Sequence, residues 1–570
     1  MAEAELSGPR YRLRLLESLY GAENASSVAS AVETMISTSH RGRTRPHLWD
    51  QGDTWVISYP DQFRRANEFP LASLRSFFDH HLKPVFNGVH LLPFHPWSSD
   101  RGFSVIDPLA VNPDYGTWED IDLLAGDARL MADAVVNHLS VESPWFSDFL
   151  ARRPGAQHLF RTVDPDADLS TVVRPRTSPP TTEFLRPDGS PVTVWTTFSP
   201  DQADLDYRQP EVLLRIIGVL LNYLDHGAGA IRLDAVAFLW KREGTSSIHL
   251  PQTHTIVSII RSVIEAVDPS VILVTETNVP HRENISYFGP PGRPEAHAVY
   301  QFALPPLVLH ALLTGTSGPL REWAASVAPP RPDTTFLNFL ASHDGVGLRP
   351  VEGLLPRSEI DRVISMTEAA GARVNSRAGE DGKPVPYELG GTWMSLVGAG
   401  SPDLALRRHL ASHAIAFSLR GIPLVYAHSL LGSRNDTAAY MRTGQPRDLN
   451  RATVELAEVE RALRRPDSVP ARVLNGLKIQ LRARASRPAF HPDSAQRILP
   501  DHDSVFGVER TSVGGSRSLV LVNVTDSAVE FRLPDDGRWV LAGHREASHP
   551  VVSLGPYGYR CLDDLSDAGR

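Results

Sequence analysis

Short apolar runs alternate with helix-length segments over most of the chain. Eight of these runs, many of them rich in β-branched or aromatic residues, predict buried strands: Thr54–Tyr59, Gly88–Phe94, Leu130–Asn137, Gly229–Asp234, Val271–Thr275, Val299–Leu304, Phe336–Ala341 and Ile422–Tyr426. Strands that alternate with helical segments indicate a parallel sheet in an α/β protein. Eight such units within roughly 400 residues favour a (β/α)8 TIM barrel with inserted loop domains.

The segments outside these units predict three additions to the barrel. Residues 1–48 have the pattern of a helical N-terminal extension, and 139–205, after the third strand, form an inserted domain (domain B) too long for a simple loop. A second, glycine-rich insertion covers 345–405, after the seventh strand. Short alternating strands over 475–570 predict a C-terminal antiparallel β domain. The catalytic barrel is then expected over 49–138 and 206–474, with the second insertion inside it.

Composition narrows the class of partner and the cellular location. The 570 residues carry a net charge of −9 and no basic block, which argues against nucleic-acid and membrane partners and favours small-molecule substrates. The single cysteine, Cys561, excludes disulfides within the chain and cysteine-based metal sites. The first residues lack a signal-peptide pattern and no apolar run reaches the length of a membrane span, so we expect a cytoplasmic protein.

Polar side chains follow several of the predicted strands, at the end of the barrel where active sites of this fold lie. The fourth run ends in Arg232 and Asp234, which period-2 geometry points to the same side. A cation on the same face is expected to lower the pKa of the aspartate and keep it ionised, as a carboxylate nucleophile requires. Taken alone, this pair is more often a structural ion pair.

The other strand ends supply more carboxylates and two histidines. His138 follows the third run, Glu276 the fifth, and His343 and Asp344 the seventh. Two carboxylates that flank a bond, with further groups to hold sugar hydroxyls, are what glycosidic cleavage requires. A metal-dependent hydrolase is the competing interpretation of Asp and His clusters, and the spacing favours neither. We expect no metal and no other cofactor.

Four segments resemble the signature regions of the α-amylase superfamily, in their usual order: Asp133–His138, Ile231–Ala237, Val274–Thr277 and Phe339–Asp344. The resemblance implies that Asp234 is the nucleophile, Glu276 the acid/base and Asp344 the stabiliser of the transition state. It also implies that Arg232, His138 and His343 contact the sugar.

Further segments resemble the sucrose phosphorylase branch of that superfamily: Leu91–Phe94, Asp100–Phe103, Arg174–Arg176, Gln301–Pro306 and Arg447–Arg451. This resemblance implies that Asp100 and Arg447 hold the terminal glucose and close the pocket beyond one sugar. Phe103 and Phe198 would form an apolar wall beside the acceptor, with Gln202 nearby. Without the resemblance, ordinary core packing is the more frequent role of the two phenylalanines.

Departures from sucrose phosphorylases point to a different acceptor. Trp240-Lys241, the run His249–His254 and the N-terminal extension resemble glucosylglycerate phosphorylases of the same branch. The loop Tyr387–Leu389 replaces a segment that handles fructose and phosphate in sucrose phosphorylases. These departures favour transfer of a glucosyl unit between 2-O-α-glucosylglycerate and phosphate, with retention, to give α-glucose 1-phosphate.

Glycerate and phosphate are anions, so a cation is expected in the acceptor subsite. Arg176 is the first candidate, with possible help from His249 and Gln252; Lys241 is either a second candidate or a solvated helix charge. The alternative functions are sucrose phosphorylase, an α-glucosidase or transglucosidase of the same superfamily and, more remotely, an inactive amylase-fold binding protein.

Overall fold

The computed structural model describes residues 8–39, 45–164, 166–329, 331–379, 383–398, 400–500, 502–541 and 550–565. The strands are β1 Trp55–Ser58, β2 Phe63–Arg64, β3 Gly88–Leu91, β4 Arg129–Val135, β5 His138–Ser140, β6 Thr181–Leu185, β7 Pro191–Trp195, β8 Gln202–Asp204, β9 Ala228–Asp234, β10 Ile272–Thr275, β11 Ala298–Tyr300, β12 Thr335–Asn338, β13 Val346–Gly347, β14 Arg373–Ala378, β15 Pro384–Gly390, β16 Ile422–Tyr426, β17 Val454–Glu455, β18 Ala495–Ile498, β19 Val505–Thr511, β20 Arg517–Asn523, β21 Val529–Arg532, β22 Trp539–Leu541, β23 Val551–Leu554 and β24 Tyr559–Asp564.

The α-helices are α1 Pro9–Thr38, α2 Pro70–Phe77, α3 Trp118–Asp127, α4 Pro144–Leu150, α5 Pro210–Asp225, α6 Pro251–Val267, α7 His281–Asn284, α8 Leu304–Thr314, α9 Gly318–Ser326, α10 Arg357–Ala369, α11 Trp393–Leu396, α12 Pro402–Ser418, α13 Ala427–Leu431, α14 Thr437–Thr443, α15 Leu456–Leu463 and α16 Val469–Ala485. None of those within the described ranges combines the length and the apolar character that crossing a bilayer requires.

Eight parallel strands close into a barrel in the order β1, β3, β4, β9, β10, β11, β12 and β16. Each overlaps one of the eight apolar runs, so the predicted (β/α)8 barrel is confirmed. The sixth run, Val299–Leu304, extends past its strand, which ends at Tyr300. The chain then enters α8, a helix so buried that its sequence is apolar on nearly every side and carries no amphipathic period to separate it from the strand.

Two excursions leave the barrel on the side where its strands end. Between β4 and α5 the chain forms the β5–β8 pair and the β6–β7 hairpin, and after β12 it forms a three-stranded sheet in the order β13, β15, β14. Both excursions therefore stand above the C-terminal ends of the strands. The domain limits at residues 48, 138, 205, 345, 405 and 474 stay predictions.

The N-terminal helix α1 packs against α5 and α6 on the outside of the barrel. Arg12 lies in this contact, where its guanidinium donates two hydrogen bonds of 2.8 Å to Glu33 and one of 3.2 Å to the carbonyl of Ser262. A buried guanidinium needs such partners to offset its lost hydration. The helical character predicted for the N-terminal extension is present in α1.

The C-terminal part contains the antiparallel sheet β18-β19-β20-β24-β22 and the β21–β23 pair, as the alternating pattern predicted. Arg510 of β19 joins it to the barrel, because the fully buried guanidinium donates to the carbonyl of Ser418, at the end of α12, at 3.2 Å. It also donates to the carbonyls of His491, Ser494 and Ala495. One side chain thus satisfies acceptors on both sides of the contact.

We expect Arg510→Met to destabilise the protein by about 2–5 kcal/mol, because several buried carbonyls lose their donor at once. Differential scanning calorimetry should show a clearly lower Tm. Arg560→Met is the matched control, since exposed Arg560 donates, among the residues that the structure describes, only to the neighbouring Tyr559 carbonyl. A change within about 0.5 kcal/mol is expected. Equal Tm values for the two variants would contradict a joining role for Arg510.

Candidate active site

A cavity of about 710 Å³ opens at the C-terminal end of the barrel strands, and we call it the central cavity. All the predicted site residues except Arg232 line it: Asp100, Phe103, His138, Arg176, Phe198, Gln202, Asp234, Glu276, His343, Asp344 and Arg447. Arg232 lies beside the cavity, in contact with Asp234. The fold therefore brings together side chains that are hundreds of residues apart in the sequence.

Arg232 is buried between three carboxylates. Its Nη1 lies 2.5 Å from Asp133 Oδ1 and 2.9 Å from Asp234 Oδ1, while Nη2 lies 3.9 Å from Glu276 Oε2. The register of the sheet places Asp133 of β4 directly beside Arg232 of β9, so the first contact follows from strand pairing. The ion-pair and catalytic interpretations of Arg232 and Asp234 are thus compatible, since one guanidinium makes both contacts.

The two candidate catalytic carboxyls have raised pKa values. Burial raises the pKa of Asp234 well above its usual range, and Arg232 opposes this without reversing it. Burial also raises the pKa of Glu276, again against Arg232. The expectation that Arg232 gives Asp234 a low pKa is therefore wrong in its net direction, because removal from water outweighs the one cation.

The hydrogen bonds indicate which member of the pair is ionised. Asp234 accepts directly from Arg232 at 2.9 Å, whereas Glu276 accepts only a 3.3 Å bond from the backbone N–H of Ala235. The charged form of a carboxyl is favoured by a charged donor more than by a neutral one. Burial raises the pKa of Asp234 further than that of Glu276, but Asp234 has the direct bond to the guanidinium. On that contact we assign the negative charge to Asp234 and the proton to Glu276, which is the arrangement that nucleophilic attack with acid assistance requires.

Ala235, the residue after Asp234, has a left-handed backbone conformation with φ of 52°. Such a conformation is costly for a residue other than glycine and persists only where the surroundings impose it. Here it begins the short turn Val236–Phe238 at the end of β9 and directs the N–H of Ala235 to Glu276. The turn therefore links the two catalytic candidates through the backbone.

Asp344 is held by two arginines of one short segment. Arg447 Nη1 lies 2.7 Å from Asp344 Oδ1, and Arg451 Nη2 lies 3.6 Å from the same oxygen. Burial acts to raise the pKa of Asp344, but the two guanidinium groups outweigh it and lower the pKa. Asp344 is accordingly ionised, so the cavity holds a stable negative charge that can balance positive charge on a sugar ring.

Arg447 is held in place by Glu388. The carboxylate of Glu388 is fully buried and accepts from Arg447 at 2.6 and 2.9 Å, and from Asn375 Nδ2 at 2.6 Å. Glu388 does not line the central cavity, whereas its neighbour Tyr387 does. The segment Tyr387–Leu389, expected as a loop, is part of strand β15. It places a tyrosine in the cavity and a glutamate against Arg447.

Asp100 lies at the rim in a strained segment, with φ of 50° at Asp100 and 52° at Arg101. Its Oδ1 accepts from Arg451 Nη1 at 3.1 Å, and Arg451 Nε donates to the carbonyl of His343 at 2.9 Å. Arg451 therefore connects the rim with the end of the seventh barrel strand. It was absent from the predicted site residues, although it ends the quoted segment Arg447–Arg451.

The remaining predicted residues form the aromatic and imidazole part of the lining. His343 stacks on Phe103 with ring centroids 4.5 Å apart, and His138 Nε2 lies 2.9 Å from the carbonyl of Phe103. Gln202 Nε2 lies 3.1 Å from His138 Nε2, and Phe198 packs against the same imidazole at 5.3 Å. Burial lowers the pKa of both histidines, so both rings are neutral.

The three subsidiary candidates for the acceptor subsite lie outside the central cavity. Lys241 is fully buried, with Nζ 2.7 Å from Asn137 Oδ1 and 2.8 Å from Asp204 Oδ2, so both earlier interpretations of Lys241 are wrong. Lys241 thus connects Asn137, at the end of a barrel strand, with Asp204 of the inserted segment. His249 contacts Tyr287 and Glu283, and neither His249 nor Gln252 lines the cavity.

The central cavity also has lining residues outside the predicted site residues: Pro175, Ala235, Ala237, Phe238, Thr277, Asn278, Val279, Arg349 and Tyr387. Six of the nine lie within four residues after Asp234 or Glu276, so proximity in the chain was an available signal for them. Within the described part of the chain, no cluster of three or more His, Cys, Asp or Glu side chains has the geometry of a metal site.

Known proteins share this architecture. Residues 59–314 match the family model of the α-amylase catalytic domain. A glucosylglycerate phosphorylase of Allomeiothermus silvanus is 48% identical, over 91% of this chain and 93% of that protein, and one of Escherichia coli strain K12 is 43% identical, over 90% and 92%. The crystal structure of sucrose 6F-phosphate phosphorylase from Thermoanaerobacter thermosaccharolyticum aligns with a TM-score of 0.72 at 25% identity, over 83% of this chain and 94% of that one.

We expect Glu276→Gln to lower kcat/KM for an alkyl α-glucoside by about 10²–10⁴-fold, because proton donation to the leaving oxygen is lost. Use of α-glucosyl fluoride, whose leaving group needs no proton, should fall far less. The acid form of Glu276 disappears as pH rises through its raised pKa, so the variant should also lose the alkaline limb of the pH–kcat/KM profile. Glu142→Gln, at an exposed carboxyl, is the control. An alkaline limb that persists in Glu276→Gln would contradict this assignment.

Proposed function

This chain belongs to the α-amylase superfamily, and on that premise we propose that it is a retaining phosphorylase of small α-glucosides. In the favoured reaction, phosphate takes the glucosyl unit of 2-O-α-glucosylglycerate and releases glycerate, with α-glucose 1-phosphate as the second product. The names of the two relatives at 48% and 43% identity support this choice. The observation that carries it is a catalytic carboxyl pair that shares its cavity with an arginine free to bind an anion.

The first step breaks the glycosidic bond. Asp234 Oδ attacks C1 of the glucosyl unit, and the C1–O bond to glycerate breaks while Glu276 gives its proton to that oxygen. Arg232 holds Asp234 at 2.9 Å, which orients the nucleophile and favours its ionised form. Asp344, ionised between Arg447 and Arg451, stabilises the positive charge that develops on the ring.

The second step reverses the roles of the two carboxyls. An oxygen of phosphate attacks C1 from the side that glycerate has left, the bond between C1 and Asp234 breaks, and Glu276 takes the proton of the phosphate if one is present on the attacking oxygen. Two inversions at C1 give net retention and hence α-glucose 1-phosphate. Phosphate and glycerate follow each other in the same subsite, so one set of cations serves both.

The cavity suits a single glucosyl unit. Asp100 and Arg447 line both the central cavity and a second, adjoining cavity of about 1430 Å³, which we call the outer cavity. They therefore lie on the wall between the two, where they limit the length of a bound sugar chain. Their contacts with Arg451 and Glu388 fix them in that position, which supports a closed end rather than an extended groove.

Arg176 is the cation that supports an anionic acceptor. Its guanidinium packs over the rings of Phe198 and Tyr387, with Cζ 5.7 and 5.9 Å from their centroids. Among the described residues its side chain donates only to the carbonyl of Pro175, at 3.2 Å. A guanidinium held on two aromatic faces, with most of its donors unused, is available for phosphate or a carboxylate.

The experiment is an acceptor panel with α-glucose 1-phosphate as donor, in which phosphate release is followed with glycerate, fructose and water. We expect the fastest release with glycerate, and an α-linked product by ¹H NMR. Preference for fructose would identify a sucrose phosphorylase, and release with water alone would identify a hydrolase. A β-linked product would contradict the double displacement.

Arg176→Ala should lower transfer to glycerate much more than hydrolysis of α-glucose 1-phosphate, because the acceptor anion loses a charged donor worth roughly 10- to 100-fold in kcat/KM. Arg153→Ala, at an exposed arginine of the same inserted segment, is the matched control. Equal losses of transfer and hydrolysis in Arg176→Ala would place Arg176 in the glucosyl part of the site instead.

A further inference from the structure

A second arginine of the central cavity, Arg349, stands apart from the charge networks described above. It opens the short turn Arg349–Val351, which follows β13, and its side chain is 16% exposed. Unlike Arg176, it lines the central cavity without lining the outer cavity. The two arginines therefore occupy different parts of the wall.

The positive charge of Arg349 has no close negative partner among the described residues. Within the described residues its side chain makes no hydrogen bond, and its nearest carboxylate contact is a distance of 3.9 Å from Nη2 to Glu283 Oε2. The Glu283 side chain as a whole is 43% exposed, while its Oε2 is buried and lies 3.2 Å from His249 Nε2. A mostly buried cation with no close partner is costly unless a ligand meets it, so the arrangement indicates an anion in the cavity.

The backbone positions Arg349 relative to Tyr387. The N–H of Leu348 donates to the carbonyl of Tyr387 at 2.9 Å. At Gly347 any side chain would meet Asn278, because a Cβ there would lie 2.5 Å from Asn278 Oδ1. Glycine thus permits the segment before Arg349 to press against the loop that follows Glu276. The segment that bears Arg349 therefore lies between the loop after Glu276 and Tyr387, whose ring packs against the guanidinium of Arg176.

Arg176 acts on the glucosyl side of the cavity as well as on the acceptor subsite, because it contributes to the low pKa values of Asp100, Asp344 and Glu388. Arg349 has its carboxylate contact with Glu283 instead. Arg176 is therefore close to the acidic wall around the glucose. The charge of Arg349 is left for a group that lies away from the sugar ring.

We propose that Arg349 recognises the carboxylate of the acceptor and sets the preference for glycerate over a neutral polyol. This assignment rests on the proposed function and adds a specificity residue to it. A guanidinium matches a carboxylate with two parallel hydrogen bonds, and in glucosylglycerate the carboxylate lies beyond the glycosidic oxygen. Arg176 serves either anion in the shared subsite, and Arg349 adds the contact that distinguishes between acceptors.

The test compares glycerate with glycerol, which differs by a CH2OH group in place of the carboxylate. Phosphate release from α-glucose 1-phosphate is measured for the wild type, Arg349→Gln, Arg349→Lys and the control Arg357→Gln, at an exposed arginine of α10. We expect Arg349→Gln to lower the glycerate-to-glycerol ratio of kcat/KM by about 10- to 100-fold. Arg349→Lys should retain part of the preference, and Arg357→Gln all of it.

The outcomes separate this inference from the proposed function. If the wild type uses glycerate and Arg349→Gln keeps the wild-type ratio, the role of Arg349 is refuted while the phosphorylase function stands. A higher KM for phosphate in glucosylglycerate phosphorolysis, without a change in the ratio, also refutes it. Loss of hydrolysis equal to the loss of transfer would make Arg349 a structural residue. A wild type that ignores glycerate overturns the proposed function first.

Discussion

The buried guanidinium of Arg232 is the constraint on which the centre of this protein depends. A cation removed from water must be met by carboxylates, and three approach it: Asp133, Asp234 and Glu276. Asp133 comes from the neighbouring strand in register with Arg232, so the pairing of β4 with β9 and the placement of the nucleophile are one arrangement. His90 and Tyr300 extend it, through hydrogen bonds of 3.1 and 2.7 Å, to the second and sixth barrel strands.

Next to the Arg232 cluster, a second set of alternating positive and negative side chains holds together segments from distant parts of the chain. Glu388 holds Arg447, Arg447 holds Asp344, and Arg451 joins Asp344 to Asp100 at the rim. Each member is satisfied mainly by another member, which makes this part of the site rigid. Arg176 and Arg349 remain outside both sets, which supports our proposal that they bind an anionic acceptor.

The barrel was predictable because its strands are buried on all sides and have continuous apolar sequences, while polar residues begin where the strands end. The position of Asp234 at the end of a strand followed from the same pattern. Boundaries were less accurate where two buried elements follow each other, as at Tyr300 and α8. The resemblance to a superfamily named the cavity residues, and the structure brought them together except for Arg232, which lies beside them; their catalytic and binding roles stay predictions.

The sequence by itself determined the eight strands and the carboxylates at their ends, because these depend on local periodicity and on residue type. The expectation of a cation near the acceptor followed from the family resemblance, which implied anionic substrates. Only the tertiary structure decided which cations are free. Lys241 is paired with Asn137 and Asp204, and Arg451 with Asp100 and His343. Arg176 and Arg349, by contrast, face the cavity without a close carboxylate partner among the described residues. A charge becomes available or neutralised through contacts between segments far apart in the chain, and no local pattern records those contacts.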